Sequence, residues 1–194
     1  MLFRSARKKP DHCGEDELAS HLLAFITERL KVYLRDSGAR YDLVDAVLAL
    51  ENHDDLALIV KRVDALTALL KTDDGANLLA GVKRASNILA IEEKKDKTSY
   101  AGAADAGLLA GPEEKALFAA VTKVANDTRK AIDVERFDGA MRALAELRAP
   151  VDAFFEHVTV NDADPKLRRN RLALLSQIRS ATSNVADFSK IAGA

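Results

Sequence analysis

Phe154-Phe155-Glu156-His157-Val158-Thr159-Val160-Asn161, followed by Asp164 and then by Leu167-Arg168-Arg169-Asn170-Arg171-Leu172-Ala173-Leu174-Leu175, is the most telling stretch of this 194-residue chain. It joins an aromatic anchor, a short loop and a helix whose first two turns carry three arginines. Asp164-Pro165 opens that helix, with Asp as cap and Pro at a position whose N–H has no helical partner in any case. Arginines gathered near a helix start suit either a phosphate-facing surface or buried ion pairs, because the planar guanidinium binds phosphate and carboxylate through the same pair of parallel hydrogen bonds. Composition does not choose between the two.

Helical spacing narrows the choice. At about 100° per residue, with Arg168 set at zero, Leu167, Leu174, Ile178, Val185 and Phe188 fall between about −160° and −80° and mark a core face over a helix of about 165–188. Arg169 falls at about +100° and is solvated, Arg168 and Arg179 nearly coincide at the border, and Arg171, at about −60°, lies inside the apolar arc. A guanidinium placed there needs a partner, since an unpaired buried charge is strongly unfavourable. Arg171 therefore reads either as a buried salt bridge to a carboxylate such as Asp152 or Asp162, the favoured alternative, or as a phosphate or base contact beside the helix. Arg168 and Arg179 are the better-exposed candidates for an anionic ligand.

The rest of the chain also reads as helix: alanine and leucine are abundant, β-branched residues are scattered, and apolar positions recur at three and four. A first helix is expected over 16–37, with Leu18, Leu22, Phe25, Ile26, Leu30 and Tyr33 on one stripe and Gly38 as the stop. Asp42 is placed to cap a short second helix, Asn52-His53-Asp54 to turn and cap a third over 55–71, and Thr72 with Asp73 to restart a fourth through Glu93. The fourth carries Leu78, Leu79, Val82, Ala85, Ser86 and Leu89 inward; Lys83, Arg84 and Asn87 share the opposite face, which by itself reads as a solvated one. Ile88 and Ile91 also lie off the leucine stripe, which suggests that something covers this side. Residues 94–112, with Lys94-Lys95-Asp96-Lys97 and a Gly/Ala-rich run to Gly111-Pro112, read as a mobile connection. Pro112 opens a helix over 113–132 with Glu113 and Glu114 at its positive end, and a further helix over 135–149 stops or kinks before Pro150. The expected fold is all-α, a bundle of about seven helices.

Composition excludes more than it selects. With 48% hydrophobic residues the chain can bury a core, and its net charge of −1 is no nucleic-acid signature. The distribution is less even: residues 161–194 carry 6 basic against 3 acidic side chains, while 41–100 carry 8 against 11 and 101–160 carry 7 against 10. The single cysteine, Cys13, excludes an internal disulfide framework and fits a reduced cytoplasmic protein. No apolar run reaches the roughly 18–20 residues that span a bilayer, and Met1 to Lys9 lacks the apolar core of a secretory signal. The Arg4–Lys9 basic run reads as a frayed terminus in preference to a nucleic-acid-binding arm. His53-Asp54 lacks the further His and Asp ligands of a metal pair and reads as a turn. No zinc spacing, phosphate-cradling loop or nucleophile elbow is present in the sequence, so nothing argues for an active site here.

The order of residues in the opening stretch resembles the F-F-x-x-V-x-V…D-x-x-L-R-x-N-R-L-x-L-L signature near the C-terminus of the bacterial glycine-tRNA ligase beta subunit family. The run from Asp74 to Leu89 resembles that family's L-x-x-x-x-K-R-x-x-N-I-L segment, Tyr41 to Ala49 its H/Y-D-V-I-D-A-V-L-A segment, and Glu114-Lys115-Ala116-Leu117 its E-x-A-L helix start. Together they span residues 20–190 in the family's order; Thr159, where Met is common, and Val82, where Asn or Tyr is often found, depart from it. The resemblance implies a DALR-type anticodon-binding bundle over 51–194, an N-terminal helical extension over 16–50, and a disordered or frayed segment over 1–15. It implies glycine tRNA and the ligase alpha subunit as partners, neither membrane nor DNA, and ATP with magnesium only at the alpha-subunit catalytic site. The RNA-binding candidates are Arg168, Arg179, Lys83, Arg84 and Asn87, then Asn170 and Arg171. With aromatics at 5% and no Trp, broad aromatic stacking platforms are not expected. The competing expectation is a helical scaffold or subunit-docking module without direct RNA contact.

Overall fold

The computed structural model describes residues 14–50 and 55–192; the Arg4–Lys9 run, Cys13 and the His53-Asp54 turn lie outside the described residues. Within them the chain forms eight α-helices, two short 3₁₀ turns and no strand. The helices are α1 (Glu15–Asp36), α2 (Tyr41–Leu48), α3 (Leu56–Leu70), α4 (Asp73–Asp96), α5 (Pro112–Asp133), α6 (Phe137–Ala145), α7 (Arg148–His157) and α8 (Pro165–Ser183), with the 3₁₀ turns at Ala106–Leu108 and Phe188–Lys190. The all-α expectation holds.

Local chemistry accounts for the starts of α3, α4 and α8 and for the end of α1. The Thr72 hydroxyl accepts from the Gly75 N–H at 3.0 Å and Asp164 accepts from the Lys166 N–H at 2.8 Å, each satisfying an orphan donor of a first turn. Gly38 leaves α1 with φ +92°, a conformation that glycine adopts without steric penalty. The cap of α3 is Asp55, which accepts from Ala57 and Leu58, one residue beyond the expected turn. Asp42 does not serve mainly as a cap: it is buried, pairs with Arg40 at 2.5 Å and accepts from the Ala192 N–H at 2.6 Å, tying α2 to the end of the described chain.

Four expectations change. Pro150 does not end a helix; it lies in the first turn of α7, where its missing N–H breaks no intrahelical bond, and the break falls earlier, at Glu146-Leu147. That break supplies the eighth helix. The last helix ends at Ser183, and Phe188 reaches the core from the second 3₁₀ turn instead. The stripe of α1 stays largely outside: Leu18, Leu22, Phe25 and Tyr33 are exposed at 56–65%, and α1 meets the core through Leu34 and Leu30. The segment expected as a mobile connection is docked, with α4 continuing through Asp96 and with Tyr100, Ala104 and Leu109 buried.

One hydrophobic cluster runs from Leu34 to Ile191, so α2 packs with the bundle. α8 lies at its centre, against both α4 and α5, with Leu172, Leu174, Leu175 and Ile178 fully buried. Burial therefore extends from about −120° (Leu174) to about +40° (Leu172) on the wheel that has Arg168 at zero, which places Arg168 inside the covered arc and not at its border. α7 closes on α4 at Gly81, where an added Cβ would stand 2.7 Å from Val151 Cγ1.

Candidate nucleic-acid interface

Two arginines of α8, Arg168 and Arg171, turn toward partners within the chain. Arg171 is buried; its Nε donates to Glu114 Oε1 at 2.5 Å, and its terminal nitrogen donates to Asp162 Oδ2 at 2.6 Å and to the Thr159 carbonyl at 2.9 Å. Burial works against its charge, and the bonds to Glu114 and Asp162 outweigh burial and raise its pKa. Asp162 is the expected partner, whereas Asp152 pairs with Arg148 at 3.1 Å. Glu114 was not expected: it reads as a helix-end charge, yet it is 1% exposed and its other oxygen accepts from the Ala110 N–H at 2.6 Å. The signal was present, because Glu114 stands in register with the buried Leu117, Val121, Val124 and Thr128 of α5.

Arg168 is tied down as firmly. Its guanidinium pairs with Glu92 and, at 2.5 Å, with Asp96 Oδ2, and donates to the Tyr100 hydroxyl at 3.3 Å, while its Nε donates to Asn161 Oδ1 at 3.2 Å. Asn161 in turn donates to Glu92 Oε1 at 3.1 Å. The Arg168 hydrogen bond, then that from Asn161, holds the Glu92 carboxyl below the usual carboxylate range; the Tyr100 hydroxyl, then Arg168, does the same to Asp96. Arg168 itself is raised by its two carboxylates. Arg168 is more exposed than Arg171, as expected, at 21% against 10%, but its guanidinium is bound within the chain and bridges α8 to the end of α4. Asn170 is 5% exposed, accepting from the Asp105 N–H at 2.7 Å and donating to the Asp105 carbonyl at 3.0 Å, so its amide holds the 97–111 segment.

The outer face of α4 is different. Arg84 and Asn87 are exposed and Lys83 is partly so, on a ridge with a groove to each side. One groove, of about 850 Å³, is lined by Ser86 and Asn87, by Arg62 of α3 and by Arg179 of α8. Arg179 lies 3.5 Å from Glu93, and Arg62 stacks on the Phe137 ring at 5.0 Å with its pKa lowered by burial. The other groove, of about 510 Å³, lies between α4 and the 155–161 segment and is lined by Arg84, Ile88, Ile91, Phe155, His157 and Asn161 among others. There the Arg84 guanidinium sits 4.4 Å over the Phe155 ring, which meets the fully buried Phe154 edge-on at 5.7 Å. The structure thus brings Asn87 and Arg179 to one groove and Arg84 to the other, while Arg168, Asn170 and Arg171 line neither. Sequence reasoning missed Arg62 and the Arg84–Phe155 stack, which join residues far apart in the chain. Among the described residues no group of three or more His, Cys, Asp or Glu could hold a metal ion, and no helix is long and apolar enough to cross a membrane.

An all-helical bundle whose α4 presents an open basic ridge has the form of a helical nucleic-acid-binding domain, and comparison with protein families agrees. Residues 78–190, from α4 to the second 3₁₀ turn, match the DALR anticodon binding domain, and the chain belongs to that family. More particularly, over all 194 residues it is 52% identical to the glycine-tRNA ligase beta subunit of Rhodospirillum centenum (strain ATCC 51521 / SW). The chain spans 27% of the length of that relative.

Proposed function

We propose that this chain is the anticodon-binding part of a glycine-tRNA ligase beta subunit and acts in the cytoplasm on glycine tRNA. Catalysis of glycyl-tRNA formation, with ATP and magnesium, is assigned to the alpha subunit, and this chain contributes position, not chemistry. Lys83, Arg84 and Arg179 attract phosphates of the anticodon arm, and Asn87 with the Arg84 plane meets unpaired loop bases. Arg168, Asn170 and Arg171 support that surface from within. The observation that supports this reading is that the family match at 78–190 takes in Lys83, Arg84 and Asn87 of the α4 ridge, Arg179, and the whole lining of the groove between α4 and the 155–161 segment.

A docking role beside RNA binding is favoured by one feature, the exposed apolar stripe of α1. Filter binding of a glycine tRNA transcript, beside the same transcript with its anticodon cytosines replaced, tests the main reading at matched moderate salt. A preference of about tenfold or more for the native anticodon is expected, in line with discrimination of about 1–3 kcal/mol per well-read base. Equal or absent binding overturns the reading in favour of the docking module.

A further inference from the structure

We propose that the groove between α4 and the 155–161 segment is the seat of one unpaired nucleobase, stacked on the Arg84 guanidinium, and that Arg168 and Arg171 are positioning residues for it. This rests on the tRNA reading above and adds which groove takes a base and how it is held.

Three observations carry it. First, Arg84 is oriented by stacking. The fully buried Phe154 meets Phe155 edge-on, and the central carbon of the Arg84 guanidinium lies 4.4 Å over the Phe155 ring. A planar cation with one face stacked on an aromatic ring presents its other face as a platform for a second planar π-system, and a nucleobase is the nucleic-acid group with that shape. Second, the neighbouring wall is apolar but uncovered: Ile91 is 63% exposed and Ile88 lies beside it in the same groove. Such a wall accepts a base face and does not accept a phosphate. Third, the opposite wall is the end of α7 followed by a short non-helical loop, 158–161, held by the α8 arginines. Arg171 binds the Thr159 carbonyl and Asp162, and Arg168 binds Asn161 while neutralising Glu92. The groove's one deeply buried carboxylate is thereby cancelled, and His157, Thr159 and Asn161 line the side of the slot where the edge of a base would lie.

The test is a double-mutant cycle between protein and RNA, using the whole 194-residue chain and an anticodon stem-loop of glycine tRNA. Each loop nucleotide is made abasic in turn, and affinity is read by fluorescence anisotropy. Removing the seated base should weaken binding to the unaltered protein about tenfold at one position, the scale of one base–side-chain stack. In Arg84→Leu and Ile91→Glu the same abasic change should matter less than about twofold. Arg84→Lys, which keeps the charge but not the plane, should behave like Arg84→Leu. Unchanged circular dichroism guards against misfolding. If the stem-loop binds and every abasic position is independent of Arg84 and Ile91, the base seat is wrong while the tRNA reading stands. If Arg84→Lys restores the full abasic effect, Arg84 acts through charge alone and the stacking proposal falls. If the stem-loop does not bind the unaltered protein, both readings fall together.

Discussion

α8 and α4 lie side by side, yet Arg168 and Arg171 of α8 and Arg84, the one arginine of α4, are used in opposite ways. On α8, Arg168 and Arg171 are surrounded by Glu92, Asp96, Glu114 and Asp162 and bind loops and helices of their own chain. On α4, Arg84 has an aromatic ring on one side and no carboxylate in the groove it lines other than Glu92, which Arg168 holds, and the exposed Glu156. Arginine content therefore does not locate a ligand surface. The decisive quantity is how much of each guanidinium's hydrogen-bonding capacity is already satisfied, and that is greatest where the sequence packs its arginines most densely.

The contrast can be broken first at Arg171. Arg171→Met leaves Glu114 buried without its cation and should lower stability by about 3–5 kcal/mol in urea denaturation, whereas a companion Glu114→Leu change should recover most of that. A loss below about 1 kcal/mol would mean that the pair is solvated in the molecule.

Arg168→Ala should remove about 1.5–3 kcal/mol, because charge-assisted bonds to Glu92 and Asp96 are lost together. The same variant sharpens the pH behaviour. Glu92, Asp96 and Asp162 have folded-state pKa values below their ordinary ones, so the stability they contribute is present above the usual carboxylate range, about 4, and is lost as pH falls through the lowered values. Melting temperature followed from about pH 6 to about pH 3 should fall less steeply in Arg168→Ala than in the unaltered chain. Equal slopes would remove Arg168 as the main cause of the lowered Glu92 value and as a contributor to that of Asp96.

Gly81→Ala should cost about 1–2 kcal/mol, the clash with Val151 exceeding the gain in helix propensity, and Val151→Ala in the same chain should relieve it. Because α7 carries Phe155 and leads directly into the 158–161 loop, this variant should also disturb the groove on that side of α4. The smallest stability effect belongs to Arg84→Ala, within about 1 kcal/mol, the scale of an exposed cation–π contact. Its effect on RNA binding should be the largest of the series among variants that remain folded. A stability loss matching Arg168→Ala would erase the distinction between the two helices.

Much of this was legible in advance. Helix positions and most of the starts at Thr72, Pro112 and Asp164 follow from capping chemistry and apolar spacing, which act within a few residues. Burial of Arg171 was legible as well, since its angle on α8 follows from its number alone. The residue pattern also carried the family, because order along the chain is what a family signature records. Other features were settled only by packing. The border of the buried arc on α8 depends on how many helices surround it, and that left Arg168 half-covered and bound to α4. Whether the α1 stripe is covered depends on a partner surface that spacing cannot reveal. Glu114 and Arg171, 57 positions apart, and Arg84 and Phe155 meet only once the bundle closes. The sequence by itself determined which faces are apolar and where helices begin, because those are short-range properties of the backbone; tertiary structure alone decided which charges are satisfied, because pairing depends on distances between elements that the chain order does not contain.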